Sequence, residues 1–96
     1  MIGEILHIDA FGNLISNIDE KELFHFVKDH SFVIRIEKRA IQGLKNGYWE
    51  GKGNEPMALI GSGGFLEISV REGNAQKMLK VKKGDPISIS TKFQND

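Results

Sequence analysis

The spacing of apolar and polar residues changes several times along this chain, and each change marks an element. Ser31 to Glu37 carries the clearest signal: Phe32, Ile34 and Ile36 fall on one side, and Val33, Arg35 and Glu37 on the other. That period of two predicts a half-buried strand. Met1 to His7 reads as a strand, Arg39 to Leu44 as a shorter one, and Ile87 to Phe93 as the last, entered through the turn Gly84-Asp85-Pro86. Met57 to Ile60 is a short apolar run and Phe65 to Val70 another strand; the glycine-rich Gly61-Ser62-Gly63-Gly64 between them predicts a hairpin.

Helical spacing is confined to two short stretches. Asp19 with Glu22 three residues on fits a capping box, and Leu23, Phe24, Phe26 and Val27 supply an apolar face before His30-Ser31 ends the segment. Glu72 to Leu79 reads as a second helix with Asn74 as a cap. Lys45-Asn46-Gly47 is a turn leading into Tyr48 and Trp49, residues 51–56 are a loop by composition, and Gln94-Asn95-Asp96 a loose tail. Six or seven short strands with frequent turns and two small helices predict a mainly β fold, an antiparallel β-barrel or sandwich-like domain. Crossover helices for a parallel sheet are lacking.

The segment Ile8 to Ile18 breaks the pattern. It packs Asp9, Phe11, Gly12, Asn13, Ser16 and Asn17 between two apolar runs, which suits a strand interior poorly and a turn well. In one reading this is a strand, a turn and a second strand, with Asn13 and Asn17 bonding local backbone. In another, a backbone corner presents Asn13 and Asp9 to a ligand: an Asn amide donates and accepts together, so it can read an adenine edge, with Phe11 beside the base.

Composition narrows the function. Ninety-six residues make one domain with a single modest core. Thirteen basic and thirteen acidic residues balance to zero, with no basic stripe, which argues against nucleic acid as a partner. With no cysteine, disulfides and thiolate chemistry are excluded. No apolar run approaches the roughly 18 residues of a membrane span, and no signal-peptide pattern opens the chain, so a soluble, cytoplasmic protein is expected.

The remaining chemistry is sparse. His7, His25 and His30 form no HxxxH or HxH pair, so no metal site is expected. Gly61–Gly64 lacks the Lys-Ser/Thr of a P-loop and the helix of a nucleophile elbow; it reads as a hairpin turn or as a loop whose amides and Ser62 hydroxyl approach a polar ligand. Glu67, among apolar neighbours, is either exposed on a polar face or paired. Gly73-Asn74-Ala75 is a helix start, where unpaired N–H groups can meet a carboxylate or base edge. Tyr48 and Trp49 are core or interface aromatics by default.

Three segments together resemble a known family. Asp9-x-Phe11-Gly12-Asn13-Leu14-x-Ser16-Asn17-Ile18 is similar to DxFGNLxTNI. Ser62-x-Gly64-x-Leu66-Glu67-Ile68 followed by Gly73-Asn74-Ala75 is similar to SxGxLEIAxxxGNA. Gly84-Asp85-Pro86 resembles the closing turn. The likeness, from about Ile2 to Ile89, is to the C-terminal domain of the S-adenosyl-L-methionine hydrolases, or hydroxide adenosyltransferases, relatives of fluorinase and chlorinase.

The resemblance implies an antiparallel β-barrel-like domain that follows a larger α/β domain. It implies a homotrimer with each active site between the N-terminal domain of one subunit and the C-terminal domain of its neighbour. It also implies a reaction without a cofactor: water, as hydroxide, displaces methionine from ribose C5′ of S-adenosylmethionine. Carried over by position, Asn13 would bond adenine, helped by backbone at Asn74 and Ala75. Phe11 and Tyr48 would wall the base, Asp9 would hold a polar contact, and Ser62 would meet the methionine end. Ser16 stands for the usual threonine, Ser69 for the common alanine, and Gly63 where fluorinase-like relatives carry arginine. The residues that orient the water belong to the missing domain, so no catalytic residue is expected here, and the chain is expected to be a fragment inactive by itself. The rivals are a non-catalytic module that binds S-adenosylmethionine or adenosine, and an oligomerisation domain with Trp49, Phe65 and Phe93 on its contact surface.

Overall fold

The structure, a computed structural model, describes residues 1–91. Seven strands form one antiparallel sheet that curls into a nearly closed barrel. They are β1 (Ile2–Ile8), β2 (Leu14–Asp19), β3 (Phe32–Ile36), β4 (Arg39–Gln42), β5 (Pro56–Ile60), β6 (Phe65–Val70) and β7 (Pro86–Thr91), in the order β4-β3-β7-β1-β2-β6-β5. The open seam lies between β4 and β5, where the Lys45 N–H donates to the Ala58 carbonyl at 2.8 Å. The last expected strand is present as far as Thr91; Phe93 and Gln94–Asp96 lie outside the described residues.

The interior is aliphatic. Ile5, Leu14, Ile34, Leu66, Ile68 and Ile87 are among the buried side chains that fill it. Helix α1 (Glu20–Val27) adds Leu23 and Val27, and α2 (Ala75–Leu79) adds Ala75 and Leu79. Asp19 caps α1 as expected, its Oδ1 accepting from the Glu22 N–H at 2.7 Å. That helix ends at Val27, earlier than the sequence suggests, because Lys28 turns left-handed at φ 54°. The second helix begins at Ala75 rather than Glu72. Glu72 sits at φ 57° and Asn74 is extended, so neither continues a right-handed helix.

Two strands are buried on both faces, which the simple alternation does not anticipate. Leu66, Ile68 and Val70 of β6 face the core, while Glu67 and Ser69 on the opposite face are also buried. On β5, Met57 and Leu59 are buried outside the main core cluster. The cover is the segment 46–51, which contains a 3₁₀ turn (Tyr48–Glu50) that no periodicity predicted. Gly51 lies so close that a Cβ there would come within 2.9 Å of the Met57 sulfur.

β2 is held by side chains rather than by an unbroken ladder, since its pairings with β1 and β6 both shift register. Buried Ser16 donates its hydroxyl to the Leu66 carbonyl at 2.7 Å and accepts the Ile18 N–H at 3.1 Å. Asn17, expected to bond local backbone, instead reaches across to β1, its Oδ1 accepting from the Glu4 N–H at 2.9 Å. Ser16→Ala strips two buried backbone groups of this partner. It is expected to lower unfolding stability by about 1–3 kcal/mol, seen as a lower urea midpoint with an unchanged slope.

Candidate functional site

The β1–β2 connection is built around one carboxylate. Asp9 Oδ1 accepts the backbone N–H groups of Phe11 (2.9 Å) and Asn13 (3.0 Å), and Oδ2 accepts the Asn13 side-chain Nδ2 (2.9 Å). The backbone closes the same turn, with the Asp9 N–H on the Asn13 carbonyl at 3.1 Å and the Gly12 N–H on the Asp9 carbonyl at 3.0 Å. Burial alone would raise the Asp9 pKa; hydrogen bonds from the Asn13 backbone, the Asn13 side chain and the Phe11 backbone outweigh it and hold the carboxyl below its ordinary value.

This clamp fixes the Asn13 amide. One N–H is committed to Asp9, and no hydrogen bond among the described residues uses its Oδ1. The carbonyl and the second N–H remain as an adjacent acceptor and donor. Phe11, at the turn's apex, is 77% exposed.

Gly12 brings a second loop into place. At φ +83° it occupies the left-handed region, and a Cβ there would fall onto the Asn74 side chain. Its carbonyl accepts the Gln76 N–H at 2.9 Å, while Asn74 Oδ1 caps α2 by accepting the Lys77 N–H at 2.9 Å. The β1–β2 turn and the start of α2 are thereby stitched together.

The site lies along the outside of the barrel. Register places Ile15 of β2, Glu67 of β6 and Leu59 of β5 side by side on one face. They floor a cleft of about 460 Å³ walled by the 3₁₀ turn and the Gly61–Gly63 hairpin, Ser62 included. Toward the other end of the strands, Asp9, Phe11, Asn13, Tyr48, Gly73 and Asn74 line a wider cleft of about 940 Å³. Asp9 and Tyr48 border both. The Tyr48 hydroxyl donates to Oε2 of Glu67, which is 7% exposed, and the Ser69 hydroxyl approaches the same oxygen at 3.4 Å. Burial, and then the carboxylate partner, raise the Tyr48 phenol above its usual pKa. Trp49, on the same turn, is 70% exposed and lines the smaller cleft.

Asp9, Phe11, Asn13, Tyr48 and Asn74 thus share one cleft, and Ser62 lines its continuation. Ala75 is fully buried against the core and does not line either cleft. The sequence reading missed Glu67 as the partner of Tyr48. The available signal was that β5 reads as an unbroken apolar run, a mark of a strand covered on both faces. Among the described residues, no three His, Asp or Glu side chains converge as metal ligands would, and no helix is long and apolar enough to cross a membrane.

The family profile of the SAM hydroxide adenosyltransferase C-terminal domain matches residues 3–88. The chain belongs to that family. The chain is 41% identical over 90 residues to the (R)-S-adenosyl-L-methionine hydrolase of Methanocaldococcus jannaschii, covering 88% of this chain and 34% of the relative. It is 30% identical over 87 residues to the enzyme of the same name from Thermus thermophilus, covering 91% and 31%. It therefore spans about a third of the length of these curated relatives. It also superposes on the crystal structure of an uncharacterized conserved protein from Thermotoga maritima, with TM-score 0.78, 31% identity, and 92% of this chain against 35% of that one. The crystal structure of a conserved hypothetical protein from Thermus thermophilus gives TM-score 0.71 at 28% identity, covering 93% and 32%.

The Asp9 clamp carries a pH dependence. Because its folded-state pKa lies below the ordinary 3.8, its contribution is complete above that value and fades as pH falls through the folded one. In an acid titration followed by NMR, the Phe11 and Asn13 amides are expected to move with a midpoint below 3.8. Asp9→Asn should abolish that transition.

Proposed function

We propose that this domain supplies the adenosine-facing half of the active site of an S-adenosyl-L-methionine hydrolase. What carries the reading is the Asn13 amide: held by Asp9 on one side, it offers an acceptor and a donor to the wider cleft. That pair is complementary to the edge of adenine, which presents a ring nitrogen acceptor beside an amino donor. Phe11 and Tyr48 give the base an aromatic wall, and Gly73 and Asn74 lie at the cleft's end. The continuation past Tyr48 toward Ser62 takes the methionine end of the substrate. At Gly63, where fluorinase-like relatives carry arginine, no side chain is available to grip methionine.

In this reading the reaction is a displacement at ribose C5′. The hydroxide oxygen forms a bond to C5′ as the C5′–S bond breaks, and the electron pair stays on sulfur, giving adenosine and L-methionine without a cofactor. This chain binds and orients; the groups that hold the water come from the N-terminal α/β domain of a neighbouring subunit in a homotrimer. Phe11 and Trp49, both largely exposed at the mouth of the clefts, suit a surface that such a partner covers.

Adenosine titrated into the 96-residue chain is expected to shift the amides of Asn13, Ser62, Asn74 and Ala75 together. Asn13→Ala should weaken binding by about 1–3 kcal/mol, the usual value of a bidentate contact to a base edge. Unchanged affinity would favour the oligomerisation reading instead. Incubated with S-adenosylmethionine, the isolated chain should release no adenosine, and measurable hydrolysis would sink the division of labour proposed here.

A further inference from the structure

The buried face of β6 holds a carboxylate that binding alone does not require. Glu67 is almost fully enclosed, yet it sits on the outer side of the barrel at the floor of the smaller cleft. Its Oε2 takes the Tyr48 hydroxyl and its Oε1 is turned to Gly61, where a Cβ would collide with it. One side chain therefore holds the 3₁₀ turn that carries Tyr48 and lies against the hairpin that carries Ser62. Tyr48 borders both clefts, so the position of its ring divides one from the other.

We propose that Glu67 is a positioning residue: by accepting the Tyr48 hydroxyl it sets the ring as the partition between the adenine cleft and the cleft beyond it, with Gly61 kept bare to admit the carboxylate. The hydroxyl, committed to Glu67, is withheld from the ligand, and Tyr48 presents its ring alone. A phenol left free on this exposed turn would swing with its backbone, and the cost of fixing it would fall on ligand binding. The ligand arm of the proposal rests on the adenosine-binding reading above; the Tyr48–Glu67 link does not.

The chain contains one tyrosine and one tryptophan, so both can be followed without labels. Phenolate absorbance reports Tyr48 alone, Trp49 fluorescence reports the smaller cleft, and adenosine affinity is read from the amide shifts of Asn13 and Asn74. In Glu67→Gln, which keeps the shape of the side chain, the Tyr48 titration is expected to fall back toward the ordinary phenol range. Adenosine affinity should drop by roughly fivefold to tenfold, the scale of exchanging a hydrogen bond to a charged group for one to a neutral amide. Gly61→Ala should reproduce both effects by displacing the carboxylate. In a Tyr48→Phe background, Glu67→Gln should cost less than about twofold further, because the partner is already gone.

An unchanged phenolate titration in Glu67→Gln would overturn the proposal. So would an affinity loss of equal size with and without Tyr48→Phe, which would mark Glu67 as a general support of the fold. If the wild-type chain binds no adenosine, the functional reading suffers, and the phenolate titration still decides whether Glu67 holds Tyr48.

Discussion

Asp9 receives three N–H groups from the residues that follow it, two from backbone and one from the Asn13 amide. A carboxylate so engaged is held ionised, and each bond to it is stronger than one between neutral groups. Much of the site depends on this arrangement. It closes the β1–β2 turn and lifts Phe11 to the apex. It also orients Asn13 and places Gly12 where Asn74 and Gln76 dock. The acid therefore fixes the orientation of the Asn13 amide at the cleft.

The barrel contributes a surface more than an interior. Its core is filled by aliphatic side chains, and the two clefts of the site lie outside it. The clefts run along the outer face of β2, β6 and β5, between the turn at Asp9–Asn13 and the hairpin at Gly61–Gly64, with the Tyr48–Glu50 turn laid across them. A small domain can build a site in this way because the strands fix the floor by register, while short loops carry the groups that vary. An outward site also leaves one side open to solvent.

Much of this was legible in the chain. Alternation at Phe32–Ile36, the turns at Asn46-Gly47 and Gly84-Asp85, and the caps at Asp19 and Asn74 are local features, and local propensity specifies them. The dense polar segment at Asp9–Asn17 announced a special turn, and the two motifs, Asp9–Ile18 and Ser62–Ala75, pointed to one family. Less legible were the roles within those motifs. Asn17 and Ser16 serve the strand pairing of β2, and Asn74 serves as cap and spacer. A motif records that residue types recur together, without separating those that hold the backbone from those that face the ligand.

The sequence by itself determined the element types, the mainly β antiparallel class and the residues available to the site, because hydrophobic period and turn chemistry act over a few neighbours. Only the tertiary structure decided that Glu67 and Ser69 of β6 are covered on their outer face. It also decided that Glu67 meets Tyr48, nineteen positions away, and that Ala75 turns into the core. Those outcomes depend on the register between strands and on where the 46–51 segment comes to rest. Both are settled when distant apolar surfaces are buried together, and no window of neighbouring residues contains that information.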